Sequence, residues 1–241
     1  MLELQNLSFA VDDESGNKEI VQGVSLIIPD RKFVVITGPN GGGKSTLAKL
    51  IAGILQPTEG KILLDGEDIT ELSITDRARR GIAFAFQQPV RFKGIQVVDL
   101  LRMAAGKRLK VAEACEYLSS VGLCAREYID REVNDSLSGG ELKRIEIATV
   151  LARKSRLSVF DEPEAGIDLW SFQNLIQVFE RMRREIRDSS IVIISHQERI
   201  LNIADEIVVL QDGCIERQGA AQEILPEIIG TESAVPSCGK G

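Results

Sequence analysis

Cysteine and histidine are scarce in this sequence, and neither forms a cluster. The 241 residues include one histidine, His196, and four cysteines at positions 115, 124, 214 and 238. Zinc and iron–sulfur sites need several such ligands at short, regular spacings, and no Cys-x-x-Cys pair is present. We therefore expect scattered reduced thiols, and we expect no zinc or iron–sulfur cluster held by this chain.

Long hydrophobic runs are also missing. No stretch of about 18 apolar residues occurs, which argues against a membrane-spanning helix, and Met1–Gln5 lacks the basic and apolar regions of a signal peptide. The net charge of −7 does not favour nonspecific binding of nucleic acid. We therefore expect a cytoplasmic protein that neither inserts in a membrane nor binds nucleic acid, so that any membrane role acts through a partner.

Residues 38–46 carry the most informative pattern of the chain, a fit to the phosphate-binding loop G-x-x-x-x-G-K-[ST]. The β-branched run Phe33–Thr37 before the loop predicts a strand, and Leu47–Leu55 after it has helical spacing. Backbone N–H groups and a helix N-terminus would therefore face one anion. Lys44 can reach the outer phosphates, and the Ser45 hydroxyl can ligate Mg²⁺. The candidate nucleotide-binding residues of this loop are Gly38, Pro39, Asn40, Gly41, Gly42, Gly43, Lys44, Ser45 and Thr46.

Alternating strand-like and helical stretches indicate an α/β fold. Residues 89–137 break the alternation, because they contain helical spacing and no strand-like run. We predict one ATP-binding core made of residues 1–88 and 138–230, an inserted helical subdomain at 89–137, and a frayed tail at 231–241. An Asp212-Gly213 hairpin turn separates the last two strands. The predicted strands are Leu2–Leu7, Val24–Ile28, Phe33–Thr37, Lys61–Leu64, Ile82–Phe86, Leu157–Phe160, Ile191–Ser195, Glu206–Leu210 and Cys214–Gln218.

Two carboxylates follow the apolar strand Leu157–Phe160. In a phosphate-loop protein, Asp161 at this place would hold the Mg²⁺ between the β- and γ-phosphates, and Glu162 would polarise the attacking water. Without the phosphate loop, the same pair would indicate only a surface turn. Ser158 is a polar departure within this strand, which a buried hydrogen bond would satisfy.

Four further segments are ambiguous when taken singly. Ser138 precedes a helical stretch and predicts an N-cap, with glycines after it that leave backbone N–H groups open to an anion. Gln87 follows one predicted strand and His196 follows another, positions at which a plain polar residue is common. Asp168 is typical of a helix N-cap. Their order along the chain resolves the ambiguity.

Together the motifs resemble those of ATP-binding cassette (ABC) ATPases over about residues 2–220. The resemblance implies a RecA-like core with an N-terminal antiparallel β part, Mg²⁺ ligation by Ser45, Gln87 and Asp161, and catalytic roles for Glu162 and His196. It also implies a transient, ATP-dependent, head-to-tail homodimer with two ATP molecules between the subunits. In that dimer, one subunit's signature segment and D-loop lie at the ATP held by the other; the residues concerned are Ser138, Gly139, Gly140 and Asp168.

Two positions depart from the usual family pattern. Glu141 replaces the glutamine of the signature motif, from which we expect a more acidic rim. Val11 stands where the family usually has an aromatic residue that stacks on adenine. Stacking of a base on an aromatic ring contributes about 1–3 kcal/mol, so we predict modest nucleotide affinity and loose base selectivity.

Within the family, the chain is more similar to SufC, a soluble ATPase of iron–sulfur cluster assembly, than to the ATPase subunit of a membrane transporter. We therefore expect SufB- and SufD-type scaffold partners that bind the helical subdomain, with Arg91, Phe92, Lys93 and Ile95 in contact. The alternative is the ATP-binding subunit of a membrane transporter, whose partner would be a permease; Pro163 favours that alternative. The residues that resemble SufC are Val11, Ala85–Val90 with Gly94, Gly139–Arg144, Gly166–Asp168 and Ser195–Leu201.

Overall fold

A computed structural model describes residues 1–13, 16–185 and 189–232 of the chain. Strands and helices alternate through this part. The strands are β1 (Leu2–Asp13), β2 (Gly16–Ile28), β3 (Phe33–Thr37), β4 (Glu59–Leu64), β5 (Glu67–Asp68), β6 (Ile82–Ala85), β7 (Leu157–Asp161), β8 (Ser190–Ile194), β9 (Glu206–Gln211) and β10 (Cys214–Ala220). The helices are α1 (Lys44–Ala52), α2 (Ile74–Arg79), α3 (Val97–Ala105), α4 (Val111–Ser120), α5 (Ala125–Tyr128), α6 (Gly139–Arg153), α7 (Leu169–Glu185), α8 (Glu198–Leu201) and α9 (Ala221–Glu232).

The larger sheet has six strands in the order β10-β9-β3-β8-β7-β6. Its neighbours are parallel except for the β9–β10 hairpin. That hairpin turns at Asp212 and Gly213, whose φ angles of 49° and 79° suit the tight turn predicted there. Strands β3, β7 and β8 are buried along their whole length, as expected for a parallel sheet covered on both faces. The predicted α/β class is confirmed.

The smaller sheet is antiparallel, in the order β2-β1-β4-β5. Its strand β1 extends well beyond the predicted Leu2–Leu7, because pairing with β2 continues after the apolar alternation ends. Register shifts between Leu4 and Ala10 mark bulges in this pairing. The backbone ladder, rather than the side-chain pattern, therefore sustains the far end of the hairpin.

Two hydrophobic cores lie against the two faces of the larger sheet. Strand β3 shows the division, since Val34 and Ile36 join one core while Phe33 and Val35 join the other. The first core includes side chains of the smaller sheet and α1. The second includes side chains of α3, α4, α6 and α7, so the helices of residues 89–137 share a core with the α/β part.

Several predicted boundaries differ from the structure, two of them in helices. Helix α1 begins at Lys44 rather than Leu47, so the end of the phosphate loop belongs to the first helical turn. Helix α9 reaches Glu232 although fraying was predicted from residue 231, because Ala221 and Ile224 are buried against the core. Residues 233–241, with Cys238, lie outside the described part, as do residues 186–188.

The buried Arg77 of α2 holds the C-terminal end of α1. Its guanidinium donates to the backbone oxygens of Leu50 at 2.6 Å and Ile51 at 3.0 Å, and to that of Thr70 at 2.6 Å. Burial lowers the pKa of Arg77 to about 10, although Glu71 and Asp68 oppose the shift. The cation occupies the negative end of the helix that begins at the phosphate loop, and so it fixes that helix in place.

We predict that Arg77→Met destabilises the chain by about 3 kcal/mol or more, because several buried carbonyls lose their donors at once. The matched control is Arg79→Met on the same helix, where an exposed pair with Asp76 contributes less than about 1 kcal/mol. Urea unfolding of both variants measures the difference. Equal stability of the two variants would contradict the role given to Arg77.

Candidate functional site

Four parallel strands end at one edge of the larger sheet and bring the candidate residues there. The backbone N–H of Ser195 donates to the Ile36 oxygen at 3.2 Å, and that of Glu162 donates to the Ile194 oxygen at 3.0 Å. These bonds join the ends of β3, β8 and β7, and Gln87 follows β6, the next strand. Ligands of open α/β sheets bind at such carboxyl ends.

The phosphate loop packs so closely that side chains are excluded from it. Gly38 has φ of 134°, and a Cβ there would collide with the backbone oxygen of Leu210. Gly43 has φ of 93°, and a Cβ there would lie 2.6 Å from the Ile20 oxygen. Gly43 also precedes α1, whose first turn has no side-chain cap, so its N–H groups can bind an anion.

Lys44 lies inside this loop and is only 5% exposed. Its ammonium donates to the backbone oxygens of Gly38 and Pro39, each at 2.8 Å. Burial lowers the pKa of Lys44, while the charges of Glu162 and Asp161 oppose that change. One cation and two carboxylates therefore share the loop, as an enzyme of phosphoryl transfer requires.

The geometry of Ser45 and Asp161 fits a magnesium ion. The Ser45 hydroxyl donates to Oδ1 of Asp161 at 2.8 Å, so two oxygen ligands lie side by side. Burial raises the pKa of Asp161, which means that its negative charge is poorly compensated within the protein. Mg²⁺ is commonly bound by one or two such oxygens together with substrate phosphates. When bound, it would neutralise charge on the phosphates.

Gln87 and Glu162 form the next pair at this edge. The Gln87 amide nitrogen donates to Oε2 of Glu162 at 2.5 Å, which leaves the amide oxygen as a potential ligand. Glu162 has φ of 43°, a left-handed conformation that a non-glycine residue adopts at a cost of about 1–2 kcal/mol. Such strain is typical of residues whose position matters to function.

A buried ion pair on α6 holds the backbone that carries Gln87. Lys143, 1% exposed, donates to the backbone oxygens of Phe86 and Gln87, the latter at 3.0 Å. Glu146 accepts from the Phe86 N–H at 2.9 Å and lies 3.4 Å from the Lys143 ammonium. Burial lowers the pKa of Lys143 and raises that of Glu146. No role was predicted for this pair from the sequence. Two opposite charges three residues apart on an apolar helix face nevertheless indicate a buried ion pair.

A second connection missed from the sequence joins the segments that carry Glu162 and His196. The buried Ser195 hydroxyl donates to Oε1 of Glu164 and accepts from the Gln197 N–H at 3.0 Å. Burial raises the pKa of Glu164. His196 itself is exposed, and its imidazole lies 3.4 Å from the Gln197 amide nitrogen.

The signature segment forms the start of α6. Ser138 accepts from the Glu141 N–H at 3.3 Å, and Glu141 accepts from the Ser138 N–H at 2.6 Å, which is a capping box. The Tyr128 hydroxyl also donates to Glu141, and the Arg131 guanidinium lies 3.8 Å away. Burial opposes ionisation of Glu141, but these hydrogen bonds hold its pKa below the usual range. The carboxylate turns back onto its own helix beside Arg131, and the more acidic rim stays a prediction.

Not all the predicted residues meet within one chain. Among the described contacts, none joins Ser138 to the phosphate loop. A Cβ on Gly140 would instead lie 4.0 Å from a carboxylate oxygen of Asp168, which also accepts from the Ser171 N–H as the cap of α7. Val11 is 45% exposed on β1, and the nearby Phe9 is partly buried against the core rather than free to stack on a base.

Comparisons with known proteins agree with this architecture. The family model described as ABC transporter matches residues 21–165. An uncharacterized ABC transporter ATP-binding protein of Methanocaldococcus jannaschii is 39% identical over 217 residues, covering 87% of this chain and 86% of that protein. The probable ATP-dependent transporter ycf16 of Cyanophora paradoxa is 33% identical over 237 residues, covering 92% of this chain and 89% of its own length.

Solved structures show the same fold. A dimeric ATP-binding cassette in a post-hydrolysis state, bound to ADP and phosphate, superposes with a TM-score of 0.81 at 25% identity, covering 92% of this chain and 99% of that one. The ADP conformation of another ABC transporter cassette has a TM-score of 0.78 at 25% identity, covering 98% and 99%. This chain belongs to the ABC transporter ATPase family. It is an ATP-binding subunit that hydrolyses ATP with Mg²⁺.

Membrane-spanning helices were not expected from the sequence. Among the residues that the structure describes, no helix combines the length and the apolar character needed to cross a bilayer.

The raised pKa of Asp161 predicts opposite effects of Asp161→Asn on stability and activity. An ionised, buried carboxylate destabilises the fold above its pKa, so without Mg²⁺ the variant should melt at a higher temperature than the parent at pH 7. The difference should vanish as pH falls below 3.8, the ordinary value. Hydrolysis dependent on Mg²⁺ should fall by more than about 100-fold.

Thermal unfolding at pH 7 and at about pH 3, with and without Mg²⁺, measures the effect on stability. An assay of Mg²⁺-dependent hydrolysis measures the effect on activity. Asp135→Asn is the control, because that carboxylate is exposed and paired with Arg91. A variant that melts below the parent at pH 7 would contradict the idea of an uncompensated charge at Asp161.

Lys143→Met should destabilise the chain by about 3 kcal/mol, since it leaves the buried Glu146 carboxylate without its cation. The double variant Lys143→Met, Glu146→Gln should recover much of that stability. If Lys143 also positions Gln87, the double variant should still need several-fold more Mg²⁺ for half-maximal hydrolysis. Urea unfolding and Mg²⁺ titration separate the two roles, and a normal Mg²⁺ requirement in the double variant would leave Lys143 a purely structural residue.

Proposed function

We propose that two copies of this chain close head to tail on two ATP molecules, each copy completing the other's site. The observation that carries this proposal is that no described contact joins the signature segment to the phosphate loop within one chain. The uncapped first turn of α1 and the start of α6 from the other copy then approach one triphosphate from opposite sides. The dimeric cassette structures similar to this chain support the arrangement.

The roles proposed for the site residues follow from their contacts. Lys44 binds the outer phosphates, with Ser45, Asp161 and Gln87 as the Mg²⁺ ligands. Glu162, oriented by Gln87, accepts a hydrogen bond from the attacking water, and His196 lies where it can contact the γ-phosphate. The remaining loop residues bind through backbone N–H groups, and the exposed Val11 leaves the base with little to stack on.

The partner proposed for this subunit is a membrane permease, so that its work is transport. The names of similar proteins support this, since they describe ABC transporter ATP-binding proteins. A partly apolar surface on the residues beside Gln87 also supports it. Phe84 and Phe86 lie edge to face at 4.9 Å and line two shallow cavities of about 220 and 160 Å³, with Val90 at the margin. A helix of the permease inserted there would sense movement of Gln87.

A SufB- and SufD-type scaffold is the second candidate partner. The signature form Gly139–Arg144 and the apolar Val11 favour it, because both resemble SufC. In this case the partner surface would include Arg91, Lys93 and Ile95. Phe92 is not the exposed aromatic residue that a solvated loop would carry, since it packs partly buried against the core.

Complementation tests the shared site. Lys44→Ala and Ser138→Arg should each abolish hydrolysis by a homodimer. Mixing the two variants should restore activity, because one site of the heterodimer combines an intact phosphate loop with an intact signature. The expected maximum is about a quarter of the parental rate. Half of the dimers are heterodimers, and each heterodimer has one of its two sites intact. No restoration in the mixture would contradict the head-to-tail dimer.

The same mixture tests the catalytic role of Glu162, and it contains its own control. Glu162→Gln added to the Ser138→Arg subunit should remove the restored activity, because that subunit supplies the working phosphate loop. The same change added to the Lys44→Ala subunit should leave it intact. Equal effects of the two placements would exclude Glu162 as the residue that acts on the attacking water in its own subunit.

Affinity capture distinguishes the two partners. Tagged protein recovered from a detergent extract of its native cell should bring down a permease, and Val90→Asp should reduce the yield by about tenfold by charging the surface. Val111→Asp on α4 is the matched control, since Val111 is also exposed but lies outside both cavities. Recovery of a soluble scaffold pair instead would support the second candidate and overturn the first.

A further inference from the structure

A separate cavity of about 650 Å³ lies at the opposite ends of the strands from the phosphate loop. It is bounded by α4, by the end of α6, by α7 and by the beginnings of β7 and β8. Ser158 lines it near the start of β7, three residues before Asp161, or about 10 Å along the strand. This volume is in the range of cavities that hold small organic molecules.

Two buried hydroxyls line this cavity without protein partners. Ser155 is 7% exposed and its Oγ has no hydrogen-bond partner. Ser158 is 6% exposed, and the described residues supply no hydrogen bond to its hydroxyl. The buried hydrogen bond expected for Ser158 from the sequence is therefore not supplied by residues 1–13, 16–185 and 189–232. Buried hydroxyls are normally satisfied, so a group in the cavity should bond to them.

Aliphatic side chains and methionine form the apolar part of the lining, and Tyr117, Ser120 and Ser189 are polar members of it. Val150, Leu151, Val178, Met182 and Ile191 supply the apolar side chains.

The charged groups of the lining are two cations and one anion. Lys154 and Arg181 also line the cavity, and neither pairs with a carboxylate among the described ion pairs, while Glu116 is the one anionic group. These three groups have a net charge of one positive charge. Lys154 follows the end of α6 and has a left-handed φ of 53°.

We propose that this cavity binds a small amphiphilic organic acid, with an apolar body and one anionic head group. The body would contact the aliphatic side chains, the anion would pair with Arg181 and Lys154, and a polar atom would accept from the two serine hydroxyls. The site is independent of the nucleotide site, so the inference does not depend on the proposed function.

The probe for this site is 8-anilinonaphthalene-1-sulfonate, an aromatic anion whose fluorescence rises in apolar surroundings. We expect one saturable site per chain in the purified full-length protein, with decanoate displacing the probe. Arg181→Gln should weaken binding about tenfold, as expected for loss of one charge-assisted contact. Arg184→Gln, on the same helix but outside the lining, should leave binding unchanged.

A cavity-filling variant, Ser158→Leu, should abolish the site. Circular dichroism and retained ATP hydrolysis establish that each variant is folded, since unfolded chains also bind this dye. If Ser158→Leu does not fold, Ser155→Leu and the neutral probe N-phenyl-1-naphthylamine replace it. The neutral probe should bind the Arg181→Gln variant and the parent equally.

Three results would overturn the proposal. The first is the absence of saturable binding, which would mean that water alone satisfies the two serines. The second is equal binding by Arg181→Gln and Arg184→Gln. The third is undiminished binding in a folded, cavity-filled variant.

Discussion

The structure depends on the parallel pairing of β3, β8 and β7. Hydrogen bonds from Ser195 to Ile36 and from Glu162 to Ile194 align the ends of these strands. Because parallel strands all end at one edge, groups more than 100 residues apart in sequence meet there, as Ser45 and Asp161 do. Other parts of the fold stabilise this edge. Arg77 binds the C-terminal end of α1, and Lys143 binds the backbone of Gln87.

Buried charge is the energetic consequence of this arrangement. Asp161, Glu146 and Glu164 all have pKa values raised by burial, and those of Lys44 and Lys143 are lowered by it. A core built for stability alone would replace such groups by apolar side chains. At Lys44 and Asp161, bound phosphates and Mg²⁺ would supply the missing compensation, so that ligand binding would stabilise the site.

Much of the fold was predictable because its strands are apolar and its turns have characteristic residues. Strand β3 has the predicted bounds, and the Asp212-Gly213 turn lies where expected. Helix α9 was missed, because it contains Pro226 and only a few of its residues are buried. The local sequence indicates only helix propensity. Burial against a sheet distant in sequence decides whether a weak helix forms.

Some parts of the candidate site were likewise predictable from the sequence, and others were not. Its phosphate loop could be recognised because the glycines, Lys44 and Ser45 are adjacent in sequence. The contact between Lys143 and the Gln87 loop, and that between Ser195 and Glu164, were invisible because each joins distant segments. The direction of the Glu141 side chain was not predictable, because it depends on the residues around it, here Tyr128 and Arg131.

The sequence by itself therefore determined the kind of chemistry, since short motifs of fixed spacing define the groups that bind a nucleotide and Mg²⁺. Only the tertiary structure decided how those groups are held. It placed Glu162 against Gln87 and separated Ser138 from Lys44 within one chain. It also left two serines unpaired in a distant cavity. The physical reason is that packing and burial, which set these contacts, act between residues whose separation along the chain carries no record of their distance in space.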